Sequence, residues 1–216
     1  MDKLDEINLI NIDSKAGIDR LLVLSEDSDY EVRLRSIEKL ADVMDIKRVS
    51  RRVIDGLGDK DYLVRAESLD AISNLQPPPP FKAIKTCLDD KHWLIRGSSA
   101  IVLAKFFNSR VKDIISNRYM TVSCEEERLR YAAALCIIDN CQSLNDLCSF
   151  FNSDCYRVRC ALSNLLVEIV EFFDEENITD RCLEKLRDNL MREKLDVVRE
   201  DMEKAILDLE AFGELG

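Results

Sequence analysis

Residues 59–69 read DKDYLVRAESL, and residues 27–37, thirty-two positions upstream, read DSDYEVRLRSI. Aligned on their apolar-Arg pairs, Val32-Arg33 and Val64-Arg65, the phrase recurs at Ile95-Arg96, Leu129-Arg130, Val158-Arg159 and Val198-Arg199. The steps are 32, 31, 34, 29 and 40 residues, a period that belongs to stacked helical repeats. After each Arg, the third, fourth and seventh positions tend to be apolar or small. The first four copies place Ser36, Ile37 and Leu40; Ser68, Leu69 and Ile72; Ser99, Ala100 and Leu103; and Ala133, Ala134 and Ile137 there. These offsets share one helix face, and small residues on it let a neighbouring helix approach.

A polar hinge precedes each of these helices. Asp29, Asp61 and Asp154 are placed to accept hydrogen bonds from first-turn N–H groups. Between one motif helix and the next runs a second apolar-periodic segment: residues 49–57, 81–88, 111–115, 144–151 and 178–190. Each unit therefore reads as two antiparallel helices. Gly56-Leu57-Gly58 then ends a helix and is no phosphate loop.

The pattern D-x-D-x-x-V-R-x-x-A-x-x-x-L on a helix pair resembles HEAT repeats of the short, bilin-lyase-like subtype, over roughly residues 15–212. The resemblance implies a right-handed α-solenoid whose second helices line the concave side. The expected architecture is all-α: a superhelix of about six HEAT-like helix pairs in a single domain, 1–216. It comprises an N-terminal helical cap (1–26), repeats (27–191) and a C-terminal capping helix (192–216). The fourth copy, CEEERLRYAAALCI, lacks the aspartates. The sixth, EKLDVVREDMEKAI, is polar where the others are apolar, as suits a cap with a wetted face.

Composition agrees with helix. The chain has 46% hydrophobic residues but only 4 Pro and 6 Gly in 216 residues. Its start, MDKLDEINL, lacks the basic and apolar regions of a secretion signal, and the longest apolar run, 131–138, is too short to span a membrane. A cytoplasmic location follows as the expectation. Eight cysteines are expected as reduced thiols acting as small apolar fillers, with no metal site. The spacing of five from Cys136 to Cys141, and from Cys155 to Cys160, turns a helix by about 140° and separates the pair. Pro77 to Pro80 reads as a rigid turn inside one repeat, with Pro80 in the first helical turn; a polyproline ligand is the alternative.

No catalytic motif is present, and no catalytic residue or cofactor is expected. The single histidine, His92, lies in the hinge before Trp93-Leu94-Ile95-Arg96, a poor place for a catalytic base. The aromatics three before the Arg, Tyr30, Tyr62, Trp93 and Tyr156, suit a ladder in which each ring covers a neighbouring hinge, or else a stripe that grips a partner. The repeated arginines suit bonds to acids or carbonyls of adjacent units.

Net charge is −11, unevenly spread: residues 1–120 hold 20 acids and 20 bases, residues 121–216 hold 22 acids and 11 bases. Within the neutral half, the second helices carry Arg48, Arg51, Arg52, Lys82, Lys85, Lys112 and Arg118, expected as a basic concave patch that binds a partner. The expected acidic surface is Glu125, Glu126, Glu127, Asp174, Glu175 and Glu176. These features point to a monomeric, non-catalytic module that binds a charged protein partner, in the manner of an inhibitor or immunity-type protein. No membrane partner is expected, and the charge disfavours nucleic acid. By resemblance, the alternatives are a bilin-lyase-like, chromophore-handling enzyme using Tyr119 or a thiol, and a relative of the DNA-alkylation glycosylases.

Overall fold

The computed structural model describes residues 2–43, 46–73 and 78–213. Among the described residues the fold is all-helical and of α-solenoid type. Its contacts divide it into two compact units, residues 1–106 and 107–216.

The first unit contains α1 (Lys3–Leu9), α2 (Lys15–Leu24), α3 (Tyr30–Leu40), α4 (Lys47–Gly56), α5 (Tyr62–Ser73), α6 (Phe81–Cys87) and α7 (Trp93–Phe107). The motif helix α3 packs on α1, α2, α4 and α5. Lys39 reaches across from α3 and donates to the carbonyls of Ile7 (2.7 Å) and Asn8 (3.0 Å), satisfying the end of α1. Ser36 and Ser68 are fully buried, and each hydroxyl bonds the carbonyl four residues back. Their smallness admits α4: a Cβ on Gly56 would lie 2.2 Å from Ser68 Oγ and 3.0 Å from Ile37 Cδ1. Gly56 does end α4, but with ordinary φ; its role is this close approach rather than a left-handed turn. Pro80 stands just outside α6 as its N-cap, with extended ψ, and not in the first turn. Pro77 lies outside the described residues.

The second unit contains the 3-10 turn Asn108–Val111, α8 (Lys112–Thr121), α9 (Glu125–Ile138), α10 (Leu144–Cys148), the 3-10 turn Ser149–Asn152, α11 (Tyr156–Phe173), α12 (Glu176–Leu190) and α13 (Asp196–Gly213). α9 packs on α8, α10 and α11; α13 closes over both α11 and α12. α13 buries Val198, Met202, Ala205, Ile206 and Leu209 and leaves Asp196, Glu200, Glu203, Asp208 and Glu210 exposed.

The fourth copy is registered differently from the alignment above. Arg33, Arg65, Arg96, Arg159 and Arg199 are each the fourth residue of their helix, and in α9 that position is Arg128, not Arg130. The hydrogen bonds agree. Each of the six donates to the carbonyl six residues back: Arg33 to Asp27, Arg65 to Asp59, Arg96 to Asp90, Arg128 to Val122, Arg159 to Ser153, and Arg199 to Glu193. The corrected steps are 32, 31, 32, 31 and 40 residues. Arg130 is instead half-buried, and burial holds its guanidinium below the usual range against the opposing field of Glu168. Ala133 and Ala134 are fully buried, as expected, because α9 is covered on several sides.

Candidate interaction surfaces

The hinge motif is consumed by structure. Asp29 accepts from the Glu31 N–H at 2.9 Å and Asp61 from the Leu63 N–H at 2.8 Å, so both cap their helices. Asp154 does not: the hinge before α11 uses Ser153, whose Oγ accepts from the Cys155 N–H at 3.1 Å. The reason is register, since Asp154 stands five before Arg159, whereas Asp29 and Asp61 stand four before theirs.

The first aspartate of D-x-D is the other half of the motif. Arg33 grips Asp59 through two bonds of 2.8 Å, Arg65 grips Asp90 at 2.8 and 2.7 Å, and Arg159 grips Glu193 at 2.6 and 3.3 Å. Each acid also accepts a backbone N–H of its own hinge, from Asp61, His92 and Leu195 respectively. The arginine of one repeat thus clamps the hinge of the next, with three donors engaged. In the first hinge, where no motif arginine precedes, Lys3 bonds Asp27 at 2.5 Å. Burial works to raise the carboxyls of Asp59 and Asp90, but the arginine and backbone N–H bonds outweigh it and hold both low.

His92 occupies the position of Asp29 and Asp61. Its Nδ1 accepts from the Leu94 N–H at 3.3 Å, and its ring stacks on Tyr62 at 3.8 Å between centroids. It is a helix cap, and Tyr62, one of the four aromatics, covers this neighbouring hinge; Tyr30 and Tyr156 are exposed. Burial, then the Arg65 charge, depresses its pKa, consistent with an acceptor nitrogen that must stay neutral.

The basic side chains differ in how far the structure engages them. Arg52 donates to Ser25 Oγ at 2.9 Å and to the Ser25 carbonyl, tying α4 to the end of α2. Arg48 pairs with Asp19. Arg118 donates to the Tyr131 hydroxyl, which itself donates to the buried Glu127 carboxylate at 2.8 Å. Burial and Glu127 push that phenol up to about 12. In the first unit Arg51, Lys82 and Lys85 remain exposed, with Lys85 over the Phe81 ring; Lys112 is exposed in the second unit. Arg52 and Arg118 leave the set because, in a tightly packed repeat, a long guanidinium finds buried acceptors before it finds a partner.

The acidic set divides as well. Glu127 is 2% exposed and belongs to the Tyr131 cluster, so it is no surface residue. Glu125 and Glu126 are half-buried at the start of α9, and Glu126 accepts from the Cys124 thiol at 3.3 Å. Asp174, Glu175 and Glu176 are exposed and line a groove of about 850 Å³ with Asp180, Leu183, Arg187, Leu209, Glu210 and Phe212. The acids added here were readable in part: Asp180 stands four after Glu176 on one helix face. Glu210 and Phe212 come from α13 and had no such signal.

All eight cysteines are free. Cys136 and Cys141 are nonetheless neighbours, contrary to the helical estimate. α9 ends at Ile138, and Asn140 (φ 54) and Cys141 (φ 59) turn left-handed, so the Cys141 N–H returns to the Cys136 carbonyl at 2.8 Å. Their thiols share a hydrogen bond that raises Cys136 and lowers Cys141. Among the described residues no helix is long and apolar enough to cross a membrane.

Residues 18–104, which include α3 to α6 and most of α2 and α7, match the family model for HEAT repeats. No curated protein matches in sequence. Among solved structures, the archaeal HEAT-like repeats protein from Thermococcus onnurineus NA1 is similar at 16% identity, over 97% of this chain and 93% of that one, with a TM-score of 0.44. A designed armadillo repeat protein, YIII(Dq)4CqI, is similar at 11% identity over 89% and 99%, with a TM-score of 0.38.

Proposed function

We propose that this chain is a non-catalytic module that binds a charged protein partner through exposed faces of its second helices. One observation carries the reading. The motif side chains, Arg, Asp and the single His alike, are spent on capping helices and clamping hinges, and the net charge is segregated by unit. The first unit has 19 acids and 17 bases, the second 23 acids and 14 bases, a net of −2 against −9. HEAT repeats offer extended surfaces suited to such binding. The short repeat period of 31 to 32 residues supports the bilin-lyase-like subtype as a repeat type. A monomer acting as an inhibitor of a basic partner is the finer form of the proposal. The acidic second unit supports it, and five buried thiols suit a reducing compartment such as the cytoplasm.

The test is affinity capture from native lysate with immobilised protein, washed at low and high salt. One stoichiometric protein, retained at low salt and released as salt screens exposed charge within about 10 Å at 0.1 M, is the expected result. Two charge variants separate the surfaces: Arg51, Lys82 and Lys85 changed to Glu, and Asp174, Glu175 and Glu176 changed to their amides. Recovery of only a pigment or nucleic acid, with an absorbance shift on mixing with bilin, would remove the module reading.

A further inference from the structure

α11 ends at Phe173, and Asp174 turns the chain in a left-handed conformation (φ 50) before α12 begins at Glu176. Along α12, Glu176, Asp180, Leu183 and Arg187 follow at offsets of four, seven and eleven, a single helix face. The last turns of α13 supply the opposite wall, with Leu209, Glu210 and Phe212. Five carboxylates line the groove, against one guanidinium, and Arg187 is paired with Glu210 at 2.6 Å. Beneath them the floor is apolar: Leu183 is 8% exposed, Leu209 is 1% exposed, and Phe212 is half-buried.

We propose that this groove docks a basic amphipathic helical segment of a protein partner. Lysine or arginine side chains meet the rim at Asp174, Glu175, Glu176 and Asp180, and apolar side chains beside them rest against Phe212, the half-buried member of the floor. The inference rests on the interaction-module reading and names the partner chemistry for one surface. Charge complementarity argues for the occupant: the groove is acidic, within a unit of net charge −9 that draws cationic segments on approach. The shape argues for a peptide over a point cation. The face from Glu176 to Arg187 runs about 16 Å along α12, the length of about eleven residues of a partner helix. An apolar floor under an acidic rim is the complement of an amphipathic helix, whereas a free polyamine would leave that floor uncovered.

The test uses the full chain and a fluorescein-labelled synthetic peptide of about fourteen residues, lysines on one helical face and leucines with a phenylalanine on the other. Anisotropy titrations should show saturable binding that weakens between about 50 and 300 mM salt. E176Q/D180N should weaken it by about tenfold, and F212A by several-fold with the salt dependence unchanged. E200Q/D208N, which removes two exposed acids of α13 outside the groove, should leave affinity within about twofold. Equal losses from both double variants would reduce the effect to general charge and overturn the proposal. So would a lysine-only peptide that binds as tightly as the amphipathic one, or spermidine that displaces the peptide from the groove at equal concentration. Failure of the peptide while wild-type protein still captures a salt-sensitive partner removes the groove and leaves the module. Failure of both removes both.

Discussion

His92 caps α7 through a neutral nitrogen, and that makes one residue a source of pH dependence. Its folded pKa lies below the ordinary 6.5, through burial and the charges of Arg65 and Arg96, with Asp90 opposing. The stabilisation is therefore complete above about pH 6.5 and lost as pH falls through the folded value. Asn also caps but does not titrate, so His92→Asn should flatten the fall in denaturant stability between pH 8 and 5.5, even if its absolute stability drops with the Tyr62 stack. An unchanged slope would remove His92 from the account. Asp59 is the other telling residue. It is joined to Arg33 with side chains 10% and 5% exposed, and it holds the Asp61 N–H. Asp59→Ala strands a buried guanidinium and should cost about 3–5 kcal/mol, read from a shift in chemical-denaturation midpoint. A loss comparable to that of an exposed pair, about 1 kcal/mol or less, would show that water reaches Arg33.

Among the elements, the α4 end and α9 carry the packing claims. α4 touches α5 where Gly56 meets Ser68, and an added methyl has only 2.2 Å to that hydroxyl. Gly56→Ala should destabilise by about 1–3 kcal/mol although alanine is the better helix former, because overpacking outweighs propensity. A stabilised variant would mean the helices part easily. Ala133 lies fully buried on α9, and Ala133→Glu should cost several kcal/mol by burying a charge in a filled contact; an unaltered melting temperature would contradict that burial. The displaced fourth register belongs to this scale too. Leu129-Arg130 imitates the apolar-Arg pair, but the helix begins at Glu125, and its fourth residue, Arg128, reaches back to the Val122 carbonyl.

For the whole molecule the dominant long-range term is charge. A net of −11, of which −9 lies in the second unit, repels itself, while the Arg33, Arg65 and Arg159 clamps are buried and little screened. Raising salt to about 0.3 M should therefore raise the melting temperature. A lower one would show that exposed pairs, such as Arg20 with Glu6, outweigh the repulsion.

The repeat, its helix pairs and their hinges were legible in the sequence because they rest on local physics. Offsets of three, four and seven place residues on one helix face, and an acid four before the Arg caps a helix within a few residues of itself. The arginine clamp was half legible: the spacing marked Arg33, Arg65 and Arg159 as structural, but their partners Asp59, Asp90 and Glu193 lie 26, 25 and 34 residues away. Which charges stay free was decided only by the tertiary structure. Arg52, Arg118 and Glu127 look like surface charge in a list of residues. Arg52 and Arg118 find buried acceptors on other helices, Ser25 at the end of α2 and Tyr131 on α9, while Glu127 accepts from Tyr131 one turn along its own helix and is buried where other helices pack on α9. The acidic groove arose in the same way. Composition placed Asp174, Glu175 and Glu176 together, but the far wall and, apart from Leu183, the apolar floor come from α13, whose distance in sequence no local periodicity spans.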